Sequence, residues 1–156
     1  MAYQLLENFS KSWIFKRDDP KIEAEDLAQI HWLDETGAGG VWRDYISDAQ
    51  IHPDHFTDND WVKKQSALKV KWESIWESDS PDLPEELLEH VAPWGDDTRV
   101  FFCCHNELVF EMPWAVFKRS WKAFLFLDNG PLLVAKKKKQ AVQFHSNGMA
   151  SLLTRL

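Results

Sequence analysis

Two Asn-Gly pairs, Asn129-Gly130 and Asn147-Gly148, stand between short apolar runs in the last third of the chain, and they constrain its fold more than any other feature. Both residue types tolerate positive φ, which the tight turns of β-hairpins require. Phe124-Leu125-Phe126-Leu127 and Leu132-Leu133-Val134 flank the first pair, after Asp128; Ala141 to His145 and Met149 to Leu153 flank the second. Upstream, Val100 to Cys104 reads as a buried strand and Glu107 to Glu111 as another, with a turn near His105-Asn106. Between these signals, Pro113 to Trp121 reads as a short helix, because Trp114, Phe117 and Trp121 fall at i, i+3 and i+7. Consecutive hairpins give an antiparallel meander.

The first two thirds read as helical. Asp18-Asp19-Pro20 suits a helix start, since either Asp caps and Pro tolerates the first turn. Ile22, Leu27, Ile30 and Leu33 supply its stripe, and Gly37-Ala38-Gly39-Gly40 is expected to break it. A second helix is expected to carry Val41, Trp42, Tyr45 and Ile46. The strongest helix is expected over 61–77, where Trp61, Leu68, Trp72, Ile75 and Trp76 share one face and Asp58 or Asp60 caps. Pro84-Glu85-Glu86 opens a short last helix, with acids in its first turn. Strands collected after helices point to an α+β fold. The expectation is one domain over 1–156: about four helices from residue 18 to 92 packed on about five strands from 99 to 154.

Length agrees, since 156 residues fit a single core without disulfide or metal support. The start of the chain has neither the basic end nor the apolar run of a secretory signal, and no apolar run reaches membrane-span length. Cys103 and Cys104 are the only cysteines. As strand neighbours they point to opposite faces and make poor disulfide partners, which fits a reducing compartment and a cytoplasmic location. Nine Trp and ten Phe imply either a ring-filled core or a ring-lined binding surface. The net charge of −7 hides a split: residues 1–97 carry nine Lys/Arg and 22 Asp/Glu, whereas 98–156 carry nine and three. Such opposed halves favour a protein partner or self-association.

Three clusters offer chemistry. His52, Asp54 and His55 combine imidazole and carboxylate in the way a divalent metal or acid–base site does; a polar connecting loop with a helix cap is the simpler reading of the same residues. Cys103, Cys104 and His105 resemble a ligand set, but buried thiols also pack as small hydrophobes. Lys136, Lys137, Lys138 and Lys139 lie between two expected strands. With Trp114, Lys118, Arg119, Trp121 and Lys122 they would form a basic surface for phosphates or nucleic acid. Lysines also guard sheet edges. Gly37 to Gly40 opens a helix but lacks the Gly-Lys-Ser/Thr of a phosphate loop. No cofactor motif is present.

Trp13-Ile14-Phe15, His52-Pro53, Pro113-Trp114-Ala115-Val116-Phe117 and Asp128-Asn129-Gly130 together resemble a small bacterial family of unknown function, across nearly the whole chain. The resemblance implies a cytoplasmic bacterial protein and assigns no activity or site. The expected function is a non-enzymatic binding or adaptor domain. The alternatives are a metal-assisted hydrolase or nuclease at His52, Asp54 and His55, and a nucleic-acid binder at Lys136 to Lys139.

Overall fold

The computed structural model describes residues 3–18, 21–127 and 130–155. The α+β expectation holds. The strands are β1 (Tyr3–Gln4), β2 (His31–Leu33), β3 (Leu68–Lys71), β4 (Arg99–His105), β5 (Leu108–Pro113), β6 (Leu132–Ala135), β7 (Gln140–Phe144) and β8 (Met149–Thr154). They form one antiparallel sheet in the order β1-β2-β5-β4-β6-β7-β8-β3. The helices are α1 (Ala24–Leu27), α2 (Glu35–Tyr45), α3 (Trp61–Lys64), α4 (Glu73–Trp76), α5 (Glu85–His90) and α6 (Trp114–Phe124).

The sheet is larger than expected because the acidic first half contributes three strands. β1 and β2 extend it beyond β5, and β3 closes the other edge on β8. Short edge strands with outward lysines, such as Lys69 and Lys71, protect a sheet from further pairing. Both faces are covered, not one. Val100, Phe102, Phe110, Met112, Leu133, Val142 and Phe144 pack beneath α6 and α5. Phe101, Cys103, Val109, Leu132, Val134, Ala141 and Leu153 pack beneath α2 and α3. Double burial explains why β4 is apolar at every interior position.

Four sequence expectations are corrected. The helix over 61–77 is instead α3, β3 and α4. Its Leu68-Lys69-Val70-Lys71 segment alternates with period two and pairs Leu68 with Leu152 and Val70 with Ala150. The ladder satisfies backbone groups that one isolated helix would have satisfied alone. The helix expected from Pro20 through Leu33 is cut to α1, because 31–33 joins the sheet; Asp19 and Pro20 lie outside the described residues. Gly37 to Gly40 does not break a helix but lies inside α2. Asp34 caps it by accepting from the Gly37 amide at 2.7 Å. Buried Gly37 and Ala38 carry little or no side chain, so α2 lies close on the sheet.

The fourth correction concerns 124–127. Phe124 ends α6 and is fully buried, and the segment after it is a turn. β6 therefore pairs with β4 and β7 rather than with 124–127. Asp128 and Asn129 lie outside the described residues. The second Asn-Gly hairpin stands as expected. Gly148 has φ +86°, and a Cβ there would lie 2.8 Å from Glu73 Cβ, so glycine is required on both counts.

Apart from Trp13, which is exposed, the tryptophans fill or line the core, and five of them hold distant segments. Trp42, Trp61, Trp72, Trp76 and Trp121 donate their indole N–H to the carbonyls of Gln50, Ile46, Met149, Lys122 and Pro81, at 2.6 to 3.0 Å. Each ring buries apolar area while its N–H ties down a distant segment.

Candidate functional site

A cleft of about 530 Å³ opens at the β1–β2 edge. Leu5 and Leu6 after β1 form one wall, and Phe15, Leu27 and Ile30 form the other. The chain builds it from a 3₁₀ turn at Leu6–Asn8 and another at Ser12–Phe15, the latter at the Trp13-Ile14-Phe15 motif. Tyr3 and His31 also line it, stacked at 4.2 Å between ring centroids and nearly parallel.

These two rings belong to a polar cluster on the α2 face. Tyr3 donates its hydroxyl to Glu111 Oε1 at 2.5 Å, and Arg99 Nη2 donates to the same oxygen at 3.1 Å. Glu111 is buried, and register sets it opposite His31 on β2 and Phe101 on β4. The hydrogen bond to Glu111, helped by burial, raises the Tyr3 pKa. Burial, helped by Arg99, lowers that of His31 and favours a neutral ring. The cleft thus has an apolar body and a fixed, hydrogen-bonded rim, the usual composition of a small-molecule site.

The His52–His55 loop forms a separate hollow of about 390 Å³ with His105, Asn106 and Glu107. The His52 ring lies 5.9 Å from those of both His55 and His105. His52 Nδ1 accepts from the Asp54 amide at 3.0 Å, and His105 Nδ1 accepts from the Glu107 amide at 3.2 Å. Metal-binding imidazoles normally donate through the nitrogen that does not bind the metal. Here those nitrogens accept instead. Among the described residues, no three His, Cys, Asp or Glu side chains are placed to hold a metal ion.

Cys103 and Cys104 form no disulfide and are fully buried, each in the core of a different face. Burial pushes the Cys103 thiol far up, which suppresses the reactive thiolate.

The basic residues do not assemble as expected. Trp114 and Trp121 are buried, with Trp114 packed against Trp94 and Phe117. Arg119 grips Asp26 through two hydrogen bonds of 2.9 and 2.7 Å, and Lys118 pairs with Asp96 at 3.0 Å. Lys122 donates to the Ser78 carbonyl. Helix α6 thus spends its charges on the acidic first half. Lys136 to Lys139 do form the β6–β7 turn, mostly exposed, with Lys137 at φ 64°. Their neighbour is Arg155, which donates to the Lys138 carbonyl and lies over the Tyr45 ring at 4.7 Å.

A family model described as a protein of unknown function, DUF2947, matches residues 3–152. The chain belongs to the DUF2947 family. The match begins at Tyr3 and runs into β8, so it takes in the cleft, the histidine hollow and the lysine turn of this DUF2947 domain together. No curated protein and no solved structure matches. Among the described residues, no helix is long and apolar enough to cross a membrane. Tyr3, His31, Arg99 and Glu111 went unread in the sequence. The one signal was Glu111, a carboxylate inside the apolar run Leu108 to Met112.

Proposed function

We propose that the chain is a non-enzymatic binding domain of the bacterial cytoplasm that takes a small molecule with an apolar body into the cleft beside β1. The observation that carries this reading is the cleft itself. Its volume of about 530 Å³ falls within the roughly 300–1,000 Å³ of small-ligand sites. Two buried cysteines that form no disulfide fit a reducing compartment. Opposed charges are partly paired within the chain, through Arg119–Asp26 and Lys118–Asp96, which leaves less of the charge split to drive assembly. Light scattering is expected to give the same mass in low and high salt; a salt-dependent mass restores self-association as the better reading.

The cleft is tested with 1-anilinonaphthalene-8-sulfonate as a fluorescent probe. One saturable site is expected, weakened at least tenfold by Leu5→Glu. Leu5 is 64% exposed, so this variant folds. Undiminished binding by Leu5→Glu, or no saturable binding by the native chain, overturns the reading.

A second reading, a metal-assisted hydrolase or nuclease, rests on the hollow lined by His52, Asp54, His55, His105 and Glu107, whose side chains would have to turn before three of them could hold a metal. It requires that His52→Ala lower the affinity for added zinc. Unchanged affinity removes it. Nucleic-acid binding through Lys136 to Lys139 requires salt-sensitive binding of an oligonucleotide, and no binding at low salt removes that reading.

A further inference from the structure

The α2 face of the sheet is apolar across most of its width, but at the β7–β8–β3 corner the register sets Gln143, Ser151 and Lys69 side by side. Gln143 and Ser151 are 8% and 5% exposed. Leu132, their neighbour in the same row, is fully buried. His145 follows on the same face of β7 and meets Ser151 Oγ through Nε2 at 2.8 Å. Buried polar groups cost free energy unless they are hydrogen-bonded, and apolar side chains of similar size would hold the corner as well.

A cavity of about 420 Å³ lies over this corner. Gln143 and His145 form its floor and Pro53 and Phe56 an apolar wall, and the exposed residues Asp54, Lys63, Ser146 and Asn147 complete the lining at its rim. The floor is held in place. Gln143 Nε2 donates to the Gly130 carbonyl at 3.1 Å. Gly130 has φ +76°, and a Cβ there would lie 3.1 Å from Gln143 Nε2 and 3.3 Å from Pro53 Cβ, so glycine lets the wall approach the carboxamide. Among the described residues, neither Gln143 Oε1 nor His145 Nδ1 has a hydrogen-bond partner.

We propose that this corner is a second ligand site, independent of the β1 cleft, which takes a small uncharged polar molecule that offers both a donor and an acceptor to Gln143 and His145. Both floor groups are neutral: Gln143 by its chemistry, and His145 because burial, with Lys69 nearby, lowers its pKa. A neutral floor beside an apolar wall suits a nucleobase laid flat or a monosaccharide, which share this hydrogen-bonding chemistry.

The test is NMR titration of the full chain with uracil and, separately, with glucose. One of them is expected to shift the Gln143 side-chain amide and the His145 ring signals saturably, and the probe that does so identifies the source. Gln143→Leu is expected to weaken that binding at least tenfold. Ser151→Ala, which removes only the partner of His145, is expected to weaken it several-fold. Leu5→Glu, in the other cleft, is expected to leave it unchanged, which separates this site from the first. The proposal is overturned if neither probe shifts these signals. It also fails if Gln143→Leu binds as well as the native chain, because the polar row then serves the fold alone.

Discussion

The two faces of the sheet are each covered by an eleven-residue helix, α6 on one and α2 on the other, yet they are closed in different ways. Beneath α6, Phe102, Phe117, Phe124 and Phe144 meet ring to ring at 5.2 to 6.5 Å. Beneath α2 the sheet offers Cys103, Val109, Leu132, Val134 and Ala141 with the single ring of Phe101, the larger Trp42 and Phe56 coming from the covering segments, and polar residues enter at two corners. Interlocking rings leave no room for anything else. Small side chains under a glycine-bearing helix leave corners where Glu111 and Gln143 can sit. One face therefore carries more of the stability, and the other carries most of the polar groups available for recognition.

Truncation in the ring cluster should be the most damaging change. Phe117→Ala is expected to cost about 4 kcal/mol in urea unfolding, against about 2–3 kcal/mol for Leu132→Ala on the other face. Both residues are fully buried, so equal losses would erase the distinction. Arg119→Ala removes the partner of buried Asp26 beside the ring-packed face. A loss of about 1–2 kcal/mol is expected, since Asp26 keeps little access to water.

The polar corner predicts a pH dependence. The His145 pKa in the folded chain lies below its ordinary 6.5, so the unfolded chain binds more protons between the two values. Stability should be fully present above about pH 6.5 and fall as pH drops through that window. In His145→Gln, the part of this slope due to His145 should vanish in thermal scans from pH 7.5 to 5. An unchanged slope would place its origin elsewhere, with His31 the next candidate because its pKa is also lowered. The smallest effect is expected at the lysine turn, which belongs to neither face. Lys137→Gly relieves a left-handed residue and should raise stability by about 1 kcal/mol, read as a higher urea midpoint.

How far these features could be read in advance depended on where their partners lie. Val100 to Cys104, the Asn147-Gly148 hairpin and the helix after Pro113 were legible because alternation, turn chemistry and helical spacing act within a few residues. The segment 61–77 misled because its tryptophans fit a helical stripe, while Trp72 and Trp76 in fact serve the carbonyls of Met149 and Lys122. The β1 cleft gave almost no signal, since Tyr3 and Glu111 are 108 positions apart.

Local chemistry along the chain was enough to establish an antiparallel C-terminal sheet, the position of α6 and the lysine turn, because turns, caps and side-chain periods depend on near neighbours. Long-range packing settled the rest: that 31–33 and 68–71 become strands, that α2 runs through four residues rich in glycine, and that Arg119 faces Asp26 instead of a ligand. Short segments take whichever structure pairs their backbone groups and buries their apolar side chains, and the surfaces available for that exist only once the whole sheet has formed.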